Sequence, residues 1–231
     1  MPRKIEELAH RQGVMSEVRR KSRELLPSEA RQGEGPWISV SRQAGSHGSE
    51  LAARLAATLG WRAYDREILT AIAAETKRDE VVLSRHDEHA VSEFHEYLAP
   101  LIVPDDPGRA RYLVEMTRVI ANLARQGRAV LVGRGANWIL TPSCGLRVRT
   151  VGPLAARAAQ VAGVRGIPVE EARRMVAEND EAQRAFVRQA FHREIDDPAG
   201  YDLILNVAEL GVEPAFAAIL AAARAKLSLS P

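Results

Sequence analysis

Five short apolar runs punctuate the chain: 37–41 (WISVS), 61–64 (WRAY), 129–133 (AVLVG), 146–151 (LRVRTV) and 202–207 (DLILNV). The first four are bounded by glycine, proline or charged residues, and all five have the length of short strands. Between the runs the apolar spacing becomes helical. Leu51, Leu55 and Leu59 recur every fourth residue, with Ala52 and Ala56 beside them. That pattern is one buried stripe whose small members let a helix lie close to a sheet. The segment PLAARAAQVAG follows the fourth run, and a longer helix is expected from Pro168. Proline at the first helical position and acidic residues in the first turn both suit a helix N-terminus. A last helix, about 213–226, is alanine-rich and amphipathic. Strand and helix in alternation predict an α/β domain whose parallel sheet is covered on both faces.

Two regions depart from the alternation. Residues 1–36 are highly charged with sparse apolar positions, and they close on PSEARQGEGP. They read as a charged extension of one or two surface helices followed by a linker. The cluster Arg19, Arg20, Lys21 and Arg23 reads as a solvated helix face or as a contact for an acidic partner. Residues 78–128 form a long helical insertion ending in YLVEMTRVIANLARQG, with Gly127 as its stop. One domain is therefore expected over 37–231, with two helical excursions.

Composition narrows the class. The 231 residues are 46% apolar and 27% charged, ordinary for a folded domain, and the net charge is only +2. That near-neutrality argues against a nucleic-acid partner and makes any anion site local. The lone Cys144 offers no disulfide or cysteine cluster and agrees with a reducing, cytoplasmic setting. No apolar run approaches the roughly 20 residues of a membrane span, and the charged first residues lack a signal-peptide core.

The chemistry concentrates where strands end. ISVSRQAGSHGSELAARLA, residues 38–56, has the strand–loop–helix form of a phosphate loop, with Ala44, Gly45, Ser46, His47, Gly48 and Ser49 before the helix. Backbone N–H groups at such a helix start cradle phosphates. In G-x-x-x-x-G-K-[ST], with Ser49 as the hydroxyl, the lysine position is Gly48 and the preceding glycine is His47. A plain turn with Ser46 or Ser49 as helix cap is the competing reading. Arg134, between two glycines after the third run, suits a phosphate or carboxylate clamp. Asp65 follows the second run, and its spacing leaves two roles open: helix cap, or a carboxylate that orients an acceptor or a hydrated Mg²⁺. In the second-half helix Asp180, Arg184 and Arg188 fall at four-residue steps, with Arg173 on the same face. They form either a surface ion-pair ladder or a lid that brings arginines to a phosphoryl group. His86, His89 and His95 lack the helical spacing of a metal pair, and Cys144 has no evident base nearby.

The segments ISVSRQAGSHGSELAARLAATLGWRAYDREIL, VLVGRGANWIL, LRVRTVGPLAARAAQV and NDEAQRAFVRQAF…DPAGYDLILNV, in that order, resemble the cytidylate kinase-like family of P-loop nucleoside monophosphate kinases. The resemblance covers about 37–225. It implies a P-loop NTPase-type α/β/α architecture with a five-stranded parallel sheet in the order 2-3-1-4-5. It also implies a helical acceptor-binding insertion near 78–128 and a helical lid near 155–195. The implied activity is ATP-dependent phosphorylation of CMP or dCMP with Mg²⁺. Loop 42–49 then matches the ATP phosphate loop, with Ser49 toward the metal, and Asp65 matches an acceptor-side aspartate. Arg134 matches the arginine of a G-R-D motif, and Arg184 and Arg188 fall among the lid arginines. Two departures stand out. Cytidylate kinases read like GPAGSGKST and the cytidylate kinase-like branch, already without the lysine, like SRxxGSGGRE, against SRQAGSHGSE here. The branch's arginine position is Ser49 and one of its glycines is His47, and the aspartate of G-R-D is Gly135. The remaining positive candidates for the donor phosphates are Arg42, Arg184 and Arg188, with His47 when protonated, so slow turnover or nucleotide sensing without turnover are both expected outcomes.

Overall fold

The computed structural model describes residues 35–65 and 107–229. Its elements are β1 (Trp37–Arg42), α1 (Gly48–Leu59), β2 (Arg62–Tyr64), α2 (Pro107–Gln126), β3 (Ala129–Val132), α3 (Ala136–Ile139), β4 (Gly145–Val151), α4 (Leu154–Arg165), α5 (Val169–Phe191), β5 (Leu203–Asn206), α6 (Val207–Leu210) and α7 (Val212–Leu227). The five strands form one sheet in the order β2-β3-β1-β4-β5, every pair parallel. This is the expected α/β architecture with the expected strand order. The N-terminal segment up to residue 34, most of the insertion, and His86, His89 and His95 lie outside the described residues.

Alternation along β1 builds a core on each face. Ile38 and Val40 pack with Leu51 and Leu55 of α1 and Ala215 and Ile219 of α7. Trp37 packs on the other face with Leu131, with Met116 and Ile120 of α2, and with Phe186 and Val187 of α5. The buried stripe read from the leucine spacing is therefore real. Leu51 and Leu55 are fully buried, each stabilising the fold by about 1.5–3 kcal/mol.

Most strand ends fall within a residue of expectation, and three boundaries have a visible local cause. Pro168 has an extended ψ of 141° and stands one residue before α5 rather than inside it. At the other end α5 stops at Phe191, because His192 turns left-handed (φ 52°) and gives its N–H to the Arg188 carbonyl. The fifth strand ends at Asn206, since Val207 opens the short helix α6. Because the sheet is parallel, the loops after β1, β2 and β3 all emerge at its carboxyl edge, where open α/β sheets bind ligands.

Candidate active site

The loop between β1 and α1 is shaped for an anion. The sign of φ alternates along Gly45 (+78°), Ser46 and His47 (+59°). Such alternation turns successive N–H groups toward one concavity, a nest that receives anions. His47 is the cap residue of α1, yet its side chain makes no capping hydrogen bond. The first N–H groups of α1 therefore keep their positive end toward the loop. Neither Ser46 nor Ser49 is the cap. The Ser46 hydroxyl is buried and occupied: it donates to the Gln43 carbonyl (2.7 Å) and lies 2.8 Å from Thr150 Oγ1. It fixes the loop's shape rather than facing a ligand.

Arg157 backs the loop from behind. Its Nη1 donates to the Ala44 carbonyl (3.2 Å) and its Nε to the Gly152 carbonyl (2.7 Å). Both terminal nitrogens also reach Asp180, at 3.2 and 2.8 Å. The pair is buried, with Arg157 5% and Asp180 9% exposed. Gly45 lies so close that a Cβ on it would stand 2.4 Å from the Arg157 carbonyl oxygen. Asp180 is thus no member of a surface ladder; it reaches across to α4.

In front of the loop, Arg42 leaves the end of β1 and passes beneath the start of α1. A Cβ on Gly48 would lie 2.5 Å from Arg42 Cβ, and one on Gly133 would lie 3.1 Å from Arg42 Nη1. Its Nη2 donates to both Asp65 oxygens, at 3.1 and 3.3 Å. Ser49 Oγ donates to the same carboxylate at 3.0 Å. The structure therefore joins Arg42, Ser49 and Asp65 in one cluster. Burial pulls the Arg42 guanidinium below its ordinary range; Asp65 pushes it back up, and neighbouring Arg134 lowers it further. Two like charges held this close favour an anion between them.

Arg134 rides a strained turn. Gly133, Arg134 and Gly135 all have positive φ, at 72°, 54° and 69°. For an arginine that conformation costs on the order of 1–2 kcal/mol, and such strain clusters at functional sites. Gly135 lies against Phe191 of α5, whose ring would be 2.2 Å from a Cβ there. Arg42 and Arg134 line a shallow, solvent-open cleft together with Trp138, Gln183, Phe186 and Tyr201.

The structure does not bring every expected residue to this cleft. Arg184 pairs with Glu181 at 2.9 Å and stands 3.7 Å from Asp196. Arg188 is bound by Glu194 through two hydrogen bonds of 3.0 and 2.9 Å. Neither lines the cleft among the described residues. Arg173 is exposed on α5, and Cys144 is a free, half-buried thiol. Sequence reasoning missed Arg149, buried in β4, which donates to Ser41 Oγ (2.9 Å) and Asp196 (2.7 Å) beside the cleft. Two arginines, Arg147 and Arg149, alternating with apolar residues in one strand were the available signal. It missed Arg157 too, which stands in an alanine-rich helix and gives no such contrast.

The donor set suits a hydrated Mg²⁺ held mainly by phosphates, which needs only one or two carboxylates. Asp65 with Ser49 supplies that. No group of three or more histidine, cysteine, aspartate or glutamate residues gathers among the described residues. Nor, among them, is any helix long and apolar enough to cross a membrane.

A 2-3-1-4-5 parallel sheet with a nest at a helix start and an arginine on a glycine turn beside it defines an α/β domain whose carboxyl edge has the shape of an anion site. Residues 37–209 match the cytidylate kinase-like family, and the chain belongs to that family. It is 33% identical over 108 residues to cytidylate kinases of Pyrococcus horikoshii and Thermococcus kodakarensis, each match covering 47% of this chain. The alignments span 56% and 55% of those relatives, little more than half their length. Among solved structures, an uncharacterized protein from Eubacterium ventriosum superposes with a TM-score of 0.61 at 17% identity, covering 81% of this chain and 97% of that one. That likeness is one of fold.

Proposed function

We propose that this protein is an ATP-dependent phosphotransferase acting on a nucleoside monophosphate, with CMP or dCMP as acceptor. The observation that carries the reading is the convergence of an uncapped nest, Arg42 and Arg134 at one carboxyl edge of the sheet. Phosphoryl transfer needs positioning and positive charge more than covalent chemistry. Loop 43–48 holds donor phosphates through its backbone N–H groups, and Arg134 clamps the acceptor phosphate. Asp65 and Ser49 would hold Mg²⁺, which would supply neutralisation of phosphate charge. Arg184 and Arg188 reach the phosphates when they leave exposed carboxylate partners, a cheap exchange because exposed pairs contribute little. Membership of the family and the partial cytidylate kinase matches support this reading.

The test is ADP formation by the purified protein with Mg²⁺–ATP against CMP, dCMP, UMP, AMP, GMP and no acceptor. CMP- or dCMP-stimulated turnover that is lost in Arg134→Ala is the expected result. Binding of ATP or a monophosphate without stimulation by any acceptor would sink the nucleotide-kinase reading. It would favour the second one, a sensor module or a kinase for another phosphorylated acceptor. The glycine at the lysine position, together with lid arginines engaged by glutamates, is what favours that alternative.

A further inference from the structure

We propose that Arg42 is the donor-phosphate cation of this loop, in the place of the missing lysine, and that residue 48 is glycine because Arg42 fills its space. This deepens the kinase reading and rests on it.

Laid on G-x-x-x-x-G-K-S, residues 42–49 put Arg42 at the first glycine and Gly48 at the lysine. Glycine and cation have exchanged positions. The fold makes that exchange obligatory, because the two positions face each other across the turn. A Cβ on Gly48 would stand 2.5 Å from Arg42 Cβ and 3.3 Å from Arg42 Cδ. Cβ contacts under 3.0 Å are essentially never observed, so only one of the two residues can carry a side chain. The other wall is equally close: Thr150 Oγ1 would be 2.5 Å away. Thr150 cannot withdraw cheaply, since its hydroxyl lies 2.8 Å from Ser46 Oγ, which also donates to the Gln43 carbonyl.

Arg42 is also threaded toward the site rather than away from it. Its stem passes Gly48, and its guanidinium emerges between Gly133 and Asp65 beside Arg134. Among the described residues Asp65 is its only hydrogen-bond partner, reached through Nη2 alone. The planar fork has further donors suited to phosphate oxygens. An arginine from the strand end also has the length to project past the helix start, which a residue there does not need. Asp65 holds the guanidinium and the Ser49 hydroxyl together, so the cation and the metal-side hydroxyl are positioned by one carboxylate.

The test is Mg²⁺–ATP binding by titration calorimetry on the full chain, with thermal unfolding recorded for each variant. Arg42→Ala is expected to weaken binding about 30-fold or more, the usual scale for removing one partner of a close charge pair. Gly48→Lys alone is expected to lower the melting temperature without tightening binding. In a Thr150→Ala background, which clears the other wall, the double variant Arg42→Gly with Gly48→Lys makes room for the lysine, because glycine also removes the Arg42 Cβ. It is expected to return affinity to within about tenfold of wild type. Wild-type affinity in a folded Arg42→Ala protein overturns the proposal, as does a folded double variant that binds no better than Arg42→Ala. Should Arg42→Ala not fold, Arg42→Lys and the double variant decide on the same readout, affinity kept in both being the expected result and lost in both the overturning one. A wild-type chain that does not bind Mg²⁺–ATP would fail the kinase reading itself, a result distinct from every variant outcome.

Discussion

Gly48 and Gly135 are both glycines where the full motifs of cytidylate kinases, GPAGSGKST and G-R-D, have a charged side chain, and both places are filled by a neighbour. At Gly48 the neighbour is Arg42, so the charge has moved by one side chain and remains in the site. At Gly135 the neighbour is the ring of Phe191, which packs edge-on against Phe186 at 5.7 Å between centroids. There the carboxylate is gone and an aromatic from α5 has taken its space. On the reading proposed above, one glycine preserves the charge of the donor side, while the other puts an aromatic ring where a carboxylate would stand on the Arg134 turn. A missing motif residue is therefore uninformative until its volume is accounted for.

The comparison presumes a loop fixed from behind, and that is where the largest effect is expected. Arg157→Leu leaves Asp180 buried without its cation, at a cost of about 3–5 kcal/mol in chemical denaturation. Arg157→Leu with Asp180→Leu should recover most of that loss, because an apolar pair of similar volume often replaces a buried ion pair without penalty. Unchanged stability in Arg157→Leu would mean the loop is held by something else.

The two glycines can be separated by mutant cycles. Gly48→Ala overpacks its site against Arg42 Cβ and Thr150 Oγ1, costing about 1–3 kcal/mol, and Arg42→Gly with Thr150→Ala in the same chain should remove that cost. Gly135→Ala carries overpacking against Phe191 and also left-handed strain at φ +69°, roughly 2–4 kcal/mol together. Phe191→Ala should relieve only the overpacking part. Denaturant midpoints measure both cycles, and equal rescue at the two positions would erase the distinction.

Much of this was legible in the sequence, and the rest was not for reasons of geometry. Strand runs, the α1 stripe, the loop and Arg134 are contiguous patterns, so residue spacing exposes them. The Arg157–Asp180 pair joins two helices across 23 residues, and the four-residue spacing of Asp180, Arg184 and Arg188 pointed to a competing local ladder. Arg42 and Gly48 are six residues apart, yet their contact depends on the left-handed turns at Gly45 and His47, which no periodicity reveals. Phe191 over Gly135 is a tertiary contact between distant segments. Motif residues were readable, and so was Arg42 as a candidate for the missing charge; the contacts that set Arg42 against Gly48 and Phe191 against Gly135 were not.

The lid arginines belong to neither pattern, since they keep their charge but spend it on carboxylates. Hydrogen bonds from Arg188 hold Glu194 below the usual carboxylate range. A carboxylate depressed in the folded state contributes stability above its unfolded pKa and loses it as pH falls through the lowered one. Both side chains are more than half exposed, so Glu194→Gln should leave the melting temperature at neutral pH nearly unchanged. Its effect belongs in Mg²⁺–ATP affinity, a few-fold tightening as Arg188 is released. Unaltered affinity would mean that Arg188 does not reach the nucleotide.

The smallest effect is expected at His47, the converse case, where this chain carries a side chain and related loops have glycine. His47 holds φ 59° and ψ 11° as the cap of α1, a left-handed conformation that costs a non-glycine residue on the order of 1–2 kcal/mol. Its ring offsets little of this through an exposed contact with Glu50 at 2.8 Å. His47→Gly removes the strain but adds chain entropy of about 0.5–1 kcal/mol to the unfolded state. The net is a gain of under about 1 kcal/mol. His47→Ala keeps the strain and loses the Glu50 contact, so it should fall below wild type. Thermal unfolding should therefore rank glycine above histidine and histidine above alanine. Alanine at or above glycine would show that the loop stores no strain at this position, and that its anion-binding shape is the relaxed one.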